Sequence, residues 1–133
     1  MTVVIAFVPK PAGWAALSAG IEEAQRRGEP VHVVNVSRGD QLVDPGYASP
    51  EELQELRSRL ELSGLGFTLD HHVGEDTAAE AVVEAAHTVD ASVIVIGIRH
   101  RSATGKFLFG SDAQRILLAA PCPVLAVKAA GDD

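Results

Sequence analysis

The amino-acid sequence predicts an α/β fold in which helices cover both faces of a doubly wound, open, parallel sheet of five strands. Strand-like apolar runs alternate with helical segments, five strands with four helices, and such alternation is typical of right-handed βαβ units. One run, Val93–Ile96, holds four consecutive β-branched residues, a pattern typical of a strand buried on both faces. We expect a single domain over residues 1–133.

The strands are predicted from apolar runs that stop at proline, glycine or polar residues. They are Thr2–Val8, Val31–Val36, Phe67–Val73, the run Val93–Ile96 with Gly97 after it, and Val124–Lys128. The third, FTLDHHV, is less apolar, which fits a position nearer the sheet edge. The last is short and is also expected at an edge.

The helices are predicted from apolar residues at helical spacing and from capping signals. Trp14, Leu17, Ile21 and Ala24 form the stripe of the first helix, and Gly28 is placed to end it. Capping boxes begin the other three, at Ser49 with Glu52, Thr77 with Glu80, and Ser111 with Gln114.

Composition excludes several function classes. The chain has 47% hydrophobic and 5% aromatic residues and a net charge of −7, which argues against general binding to nucleic acids or anionic membranes. Its one cysteine, Cys122, excludes a disulfide framework and a cysteine metal cluster. His71 and His72 are neighbours in a strand and point to opposite faces, so we expect no metal site there. Without a targeting or membrane-spanning pattern, a cytoplasmic protein is the default expectation.

The stretch after the fourth strand has the features of an anion-binding loop. Between Gly97 and Arg115 there are four cationic residues and one acidic residue, so this stretch carries +3 in an acidic chain. It leads into a helix N-terminus, where unpaired N–H groups bind phosphate well. The alternative is that Ser111 is simply an N-cap and the arginines form a solvated rim.

The residues of this loop resemble those of the universal stress protein family, and the resemblance covers nearly the whole chain. In that family the fourth strand leads into Gly-x2-Gly-x9-Gly-(Ser/Thr), a nucleotide-binding loop, and the matching positions here are Gly97, His100, Gly110 and Ser111. The flanking segments GEDTAAEAVVEAAHTVDASVIVIG and GSDAQRILLAAPCPVLAVK also look like the family's. The resemblance implies the strand order 3-2-1-4-5 and pairing of two copies through Val124–Lys128.

Two positions depart from the family pattern. The family's first strand usually ends in Asp-Gly-Ser, where the Asp contacts the nucleotide, and here Val8, Pro9 and Lys10 take those places. His100 replaces the second glycine of the loop. The candidate nucleotide-binding residues are Val8, Pro9, Lys10, Val36, Gly97, Arg99, His100, Arg101, Gly110, Ser111 and Asp112.

Two functional hypotheses follow. The first is a stress-response regulator that binds ATP or a related adenine nucleotide, with its phosphates at Gly110 and Ser111 and its base between the ends of strands one, two and four. The second is a family member that acts through protein contacts without nucleotide. No catalytic set is evident, and Asp112 is better explained by its favourable interaction with the helix dipole than as a base, so we expect no enzyme activity.

Overall fold

A computed structural model describes residues 1–37, 48–73, 77–98 and 111–129. The elements follow the predicted order. They are β1 (Thr2–Ala6), α1 (Pro11–Arg27), β2 (Val31–Ser37), α2 (Pro50–Leu62), β3 (Phe67–Val73), α3 (Ala78–Thr88), β4 (Ala91–Ile98), α4 (Ser111–Ala119) and β5 (Val124–Lys128).

The five strands form one sheet in the order β3-β2-β1-β4-β5, and every neighbouring pair is parallel. The predicted doubly wound sheet and its order are therefore confirmed. β3 and β5 lie at the two edges, as expected from their composition and length. The chain reverses its direction of travel across the sheet between β1 and β4, and this is the point where such folds leave a crevice beyond the carboxyl ends of the strands.

Each face of the sheet has its own apolar core. On one face, β1 residues Val3 and Ile5 pack with Leu17 of α1 and with Leu56 and Leu60 of α2. The opposite face is covered by α3 and α4; residues packing there include Val4, Val34, Ala79, Val82, Ile94 and Ile116. The alternation of Val3, Val4 and Ile5 between the two cores follows from the period of two along a strand.

Local capping signals are confirmed at three helix ends. Ser49 with Glu52 and Thr77 with Glu80 form complete capping boxes, in which each side chain bonds the other residue's backbone N–H. Gly28 ends α1 with φ of 68°, a conformation that costs glycine little.

The boundaries of four elements differ from the prediction. β2 runs one residue further, to Ser37, and β4 spans Ala91–Ile98, so Gly97 lies within the strand and not after it. β1 ends at Ala6 and not at Val8, because the Lys10 N–H donates to the Val8 carbonyl at 2.8 Å and the chain has already turned there. α4 begins at Ser111. Ser111 is therefore the first helical residue, whereas the sequence predicted that it would be the N-cap. The sequence also predicts an irregular loop around Asp44, Pro45 and Gly46 and a frayed tail, AAGDD; both fall almost wholly outside the described residues.

Candidate functional site

A small crevice of about 140 Å³ lies at the switch point, beyond the carboxyl ends of β1, β2 and β4. The first turns of α1, α3 and α4 close around it. Among the described residues its lining is mostly apolar: Ala6, Phe7, Val8, Gly13, Val34, Ala78, Val82, Ile96, Gly97, Asp112, Ala113 and Ile116. A flat, weakly polar group therefore suits its interior, and the start of α4 is the part of the described lining that carries charge.

Two glycines allow the first turn of α1 to lie directly on the strand ends. A Cβ atom placed on Gly13 would be 1.8 Å from the Val8 carbonyl oxygen, and one on Gly97 would be 2.0 Å from the Ala12 carbonyl oxygen. Neither position has room for a side chain. Gly97, predicted from the sequence as the first glycine of a binding loop, is thus also required where β4 packs against α1.

A buried amide fixes the end of β1. Asn35 is fully buried, its Nδ2 donates to the Phe7 carbonyl at 3.0 Å, and its Oδ1 lies 2.6 Å from Nδ1 of His71. The β1–β2 register runs only as far as Ala6 opposite Val34, so the Asn35 side chain supplies a partner for Phe7 just beyond it. This bond holds the carboxyl end of β1 where the strand leaves its neighbour.

The sole tryptophan packs behind the same strand end. The Trp14 ring is half-buried and meets Phe7 edge-on, with ring centroids 4.8 Å apart and planes at 77°. The Arg59 guanidinium lies over the Trp14 ring, 4.6 Å from its centroid. Trp14, predicted as part of the apolar stripe of the first helix, thus packs partly buried at the rim of the core.

The start of α4 forms the outer wall of the crevice. Ser111 and Asp112 are both exposed in the first turn of this helix, and Asp112 belongs to the lining. N–H groups of a first turn have no partners within the helix, so this wall offers hydrogen-bond donors. The Asp112 carboxylate interacts favourably with the same helix end, and it partly offsets the positive potential there.

The predicted site residues fall into three groups. Val8, Gly97 and Asp112 line the crevice. Pro9, Lys10 and Ser111 lie within two residues of lining positions, and Val36 follows the lining residue Val34 on β2. Arg99, His100, Arg101 and Gly110 lie outside the described residues.

Much of the apolar lining was missed by the sequence reasoning. Phe7, Val34 and Ile96 were predicted only as strand residues, because strands buried on both faces show no alternation that separates lining from core. Asn35 left a usable signal, since it is a lone amide within the apolar run VHVVNV, and buried amides are nearly always hydrogen-bonded to something specific.

Burial shifts the pKa of two titratable side chains near the sheet, Cys122 and His32. Burial raises the pKa of the Cys122 thiol, and a backbone hydrogen bond from Ile94 opposes this in part. Burial lowers the pKa of His32, which contacts the Thr68 hydroxyl on β3. Among the described residues, no group of three or more His, Cys, Asp or Glu side chains is placed to hold a metal ion.

Comparison with known proteins relates this geometry to a family. The Universal stress protein family matches residues 1–128. A universal stress protein of Mycolicibacterium smegmatis is 44% identical over 129 residues, which are 97% of this chain and 98% of that one. Within the described residues, no helix is long and apolar enough to cross a membrane.

Two solved structures show the same fold. The universal stress protein from Archaeoglobus fulgidus is 32% identical, with a TM-score of 0.79 over 96% of this chain and 98% of that one. A structure of the universal stress protein from the same organism in complex with dAMP is 30% identical, with a TM-score of 0.71 and the same coverage. On the match along its sequence and the agreement of its sheet, this chain belongs to the universal stress protein family.

Proposed function

We propose that this protein is a stress-response regulator that binds an adenine nucleotide, ATP or a relative of it, in the crevice at the carboxyl ends of β1, β2 and β4. The observation that carries the proposal is the position of this apolar crevice at the switch point, directly beside the start of α4. The related protein solved with dAMP supports the ligand class.

Each part of the ligand has a matching surface. The base would enter between Val8, Val34 and Ile96, where the apolar lining would stabilise a buried flat ring. The phosphates would lie at Gly110 and Ser111, against the N–H groups of the first turn of α4. Arg99 and Arg101 would contribute cationic groups to a polyphosphate.

We expect modest affinity. The position at which the family carries an Asp that contacts the nucleotide is Val8 here, and its side chain adds apolar lining to the crevice in place of an acceptor. One hydrogen bond to a charged group contributes about 1.5–3 kcal/mol, which is roughly ten- to a hundredfold in affinity. We therefore expect a dissociation constant in the high micromolar range, which corresponds to a binding free energy of about −5 kcal/mol.

We also expect little or no catalysis. Asp112 is the acidic residue of the described lining, and its place in the first turn of α4 is explained by the helix dipole. Phosphoryl transfer to water needs a group that positions the attacking water. Because the helix dipole accounts for Asp112, we do not assign it that role.

Isothermal titration calorimetry with ATP, ADP, AMP and cyclic AMP tests the proposal. Affinity should fall from ATP to AMP if the phosphates lie at the start of α4. Val8→Asp should strengthen binding by restoring an acceptor, and Gly110→Val should abolish it by preventing close approach of the phosphates. An exposed-site variant on another face, Leu62→Asp, is the matched control and should leave binding unchanged.

Calorimetry that shows no nucleotide binding would decide between the two functional hypotheses. If wild type gives no heat with any of the four nucleotides and Val8→Asp does not create binding, the nucleotide proposal is wrong. The alternative of a family member acting through protein contacts would then be favoured.

We further propose a homodimer through β5. This strand lies at the sheet edge, with Leu125 38% exposed and Ala126 exposed beside it. An apolar edge strand is readily covered by a second copy.

A further inference from the structure

A groove of about 790 Å³ lies on the outer surface between α3 and α4, away from the crevice. Val83, Leu118 and Ala119 supply its apolar part. Leu118 is 89% exposed, although the preceding residues of α4 that face the sheet, Ala113 and Ile116, are half-buried and buried. A leucine whose side chain is this exposed contributes little hydrophobic stabilisation to the chain's own core.

The two walls of the groove carry opposite charges. Glu80 and Glu84 lie along α3, and Arg115 lies on α4 one turn before Leu118, so Arg115 and Leu118 share one helical face. Within the described ranges, neither Glu84 nor Arg115 takes part in an intramolecular ion pair. Both charges are therefore available to a molecule that covers the groove.

This combination fits a second copy of the same chain. A two-fold contact requires one surface that carries both members of every complementary pair. Here a protruding leucine, an apolar depression, a cation and an anion lie on one surface. In a two-fold pairing about an axis along the groove, Arg115 on the α4 wall of one chain would face Glu84 on the α3 wall of the other, and Leu118 of each chain would face the partner's apolar residues.

We infer that the α3–α4 groove is a self-association surface, distinct from the β5 edge, in which Leu118 anchors the contact and Arg115 and Glu84 pair between copies. The inference does not depend on nucleotide binding. It also stands apart from the proposed β5 dimer, since the two surfaces lie on different elements and can be altered separately.

Sedimentation equilibrium over a concentration series tests it. In a Leu125→Lys background, which weakens any β5 contact, the protein should retain twice the chain mass of 14.0 kDa. Adding Leu118→Asp should reduce the mass twofold, to that of one chain. The matched control is Leu62→Asp, at an equally exposed leucine (87%) on α2, which should leave the mass unchanged. Circular dichroism checks that each variant is folded.

A charge exchange identifies the occupant. Arg115→Glu and Glu84→Arg should each weaken association by placing like charges together, and the double variant should recover it, because the exchanged pair is again complementary between copies. The inference is overturned if Leu118→Asp leaves the mass unchanged, which would favour a different partner for the groove. It is also overturned if the double variant associates no better than the single ones.

Discussion

Asn35 Nδ2 donates to the Phe7 carbonyl oxygen at 3.0 Å, one step beyond the last paired residues of β1 and β2. The same amide contacts His71 through Oδ1, so one side chain on β2 ties together the ends of β1 and β3. We expect Asn35→Ala to lower the free energy of unfolding by about 1–3 kcal/mol, because it removes the donor from the buried Phe7 carbonyl. Urea unfolding measures this; an unchanged midpoint and slope would contradict it.

The close approach of Gly97 to Ala12 predicts a second effect on stability. Gly97→Ala would place a Cβ atom 2.0 Å from the Ala12 carbonyl oxygen, so α1 must shift, at a cost of about 1–3 kcal/mol. Gly66→Ala is the matched control, since its new Cβ would meet its nearest neighbour, Pro30, at 3.8 Å. Thermal unfolding of both variants checks this, and equal melting temperatures would show that α1 is not held by Gly97.

His32 predicts a dependence of stability on pH. Burial lowers its pKa below the ordinary 6.5, and the nearby Asp70 opposes this in part. Below pH 6.5 the unfolded chain therefore binds a proton that the folded chain resists, and stability falls as the pH decreases. His32→Gln should lose this part of the slope between about pH 7 and pH 5.

Melting temperatures of the wild type and His32→Gln over that range provide the measurement. At pH 8 the histidine is neutral in both states, so the difference between the proteins there reports the contact with Thr68 and not titration. Parallel curves throughout would refute a role for His32.

The proposed β5 dimer has a test at an exposed residue. Val124 and Val127 are half-buried against the two cores, so changing either would also disturb folding. Leu125→Lys places a charge on the exposed edge and should weaken the β5 contact at least tenfold, with little effect on the melting temperature. Sedimentation in a Leu118→Asp background, which removes the α3–α4 contact, gives the dissociation constant to compare with that of Leu62→Lys in the same background; identical constants would exclude an edge contact at Leu125.

Local features were predictable from the sequence, and long-range ones were not. Ser49 with Glu52 and Thr77 with Glu80 lie within one helical turn, so their capping boxes could be predicted from spacing alone. The strand order came from the family resemblance, because periodicity does not determine which strands pair.

The features that shape the crevice depend on residues distant in sequence. Gly97 looked like part of a phosphate loop, and its packing role became visible when α1 was placed on β4. Asn35 and His71 are 36 residues apart, and their contact requires the β2–β3 register. Since the sequence pattern does not specify that register, the pair could not be predicted.

The position of Trp14 gives the protein a built-in optical probe. It is the single tryptophan of the chain, and its ring touches Phe7, a residue of the crevice lining. Its emission therefore comes from one known place, next to the strand end that any occupant of the crevice must approach. Displacement of Phe7 would change the packing around the indole and with it the fluorescence spectrum, so ligands can be screened on unlabelled, unmodified protein.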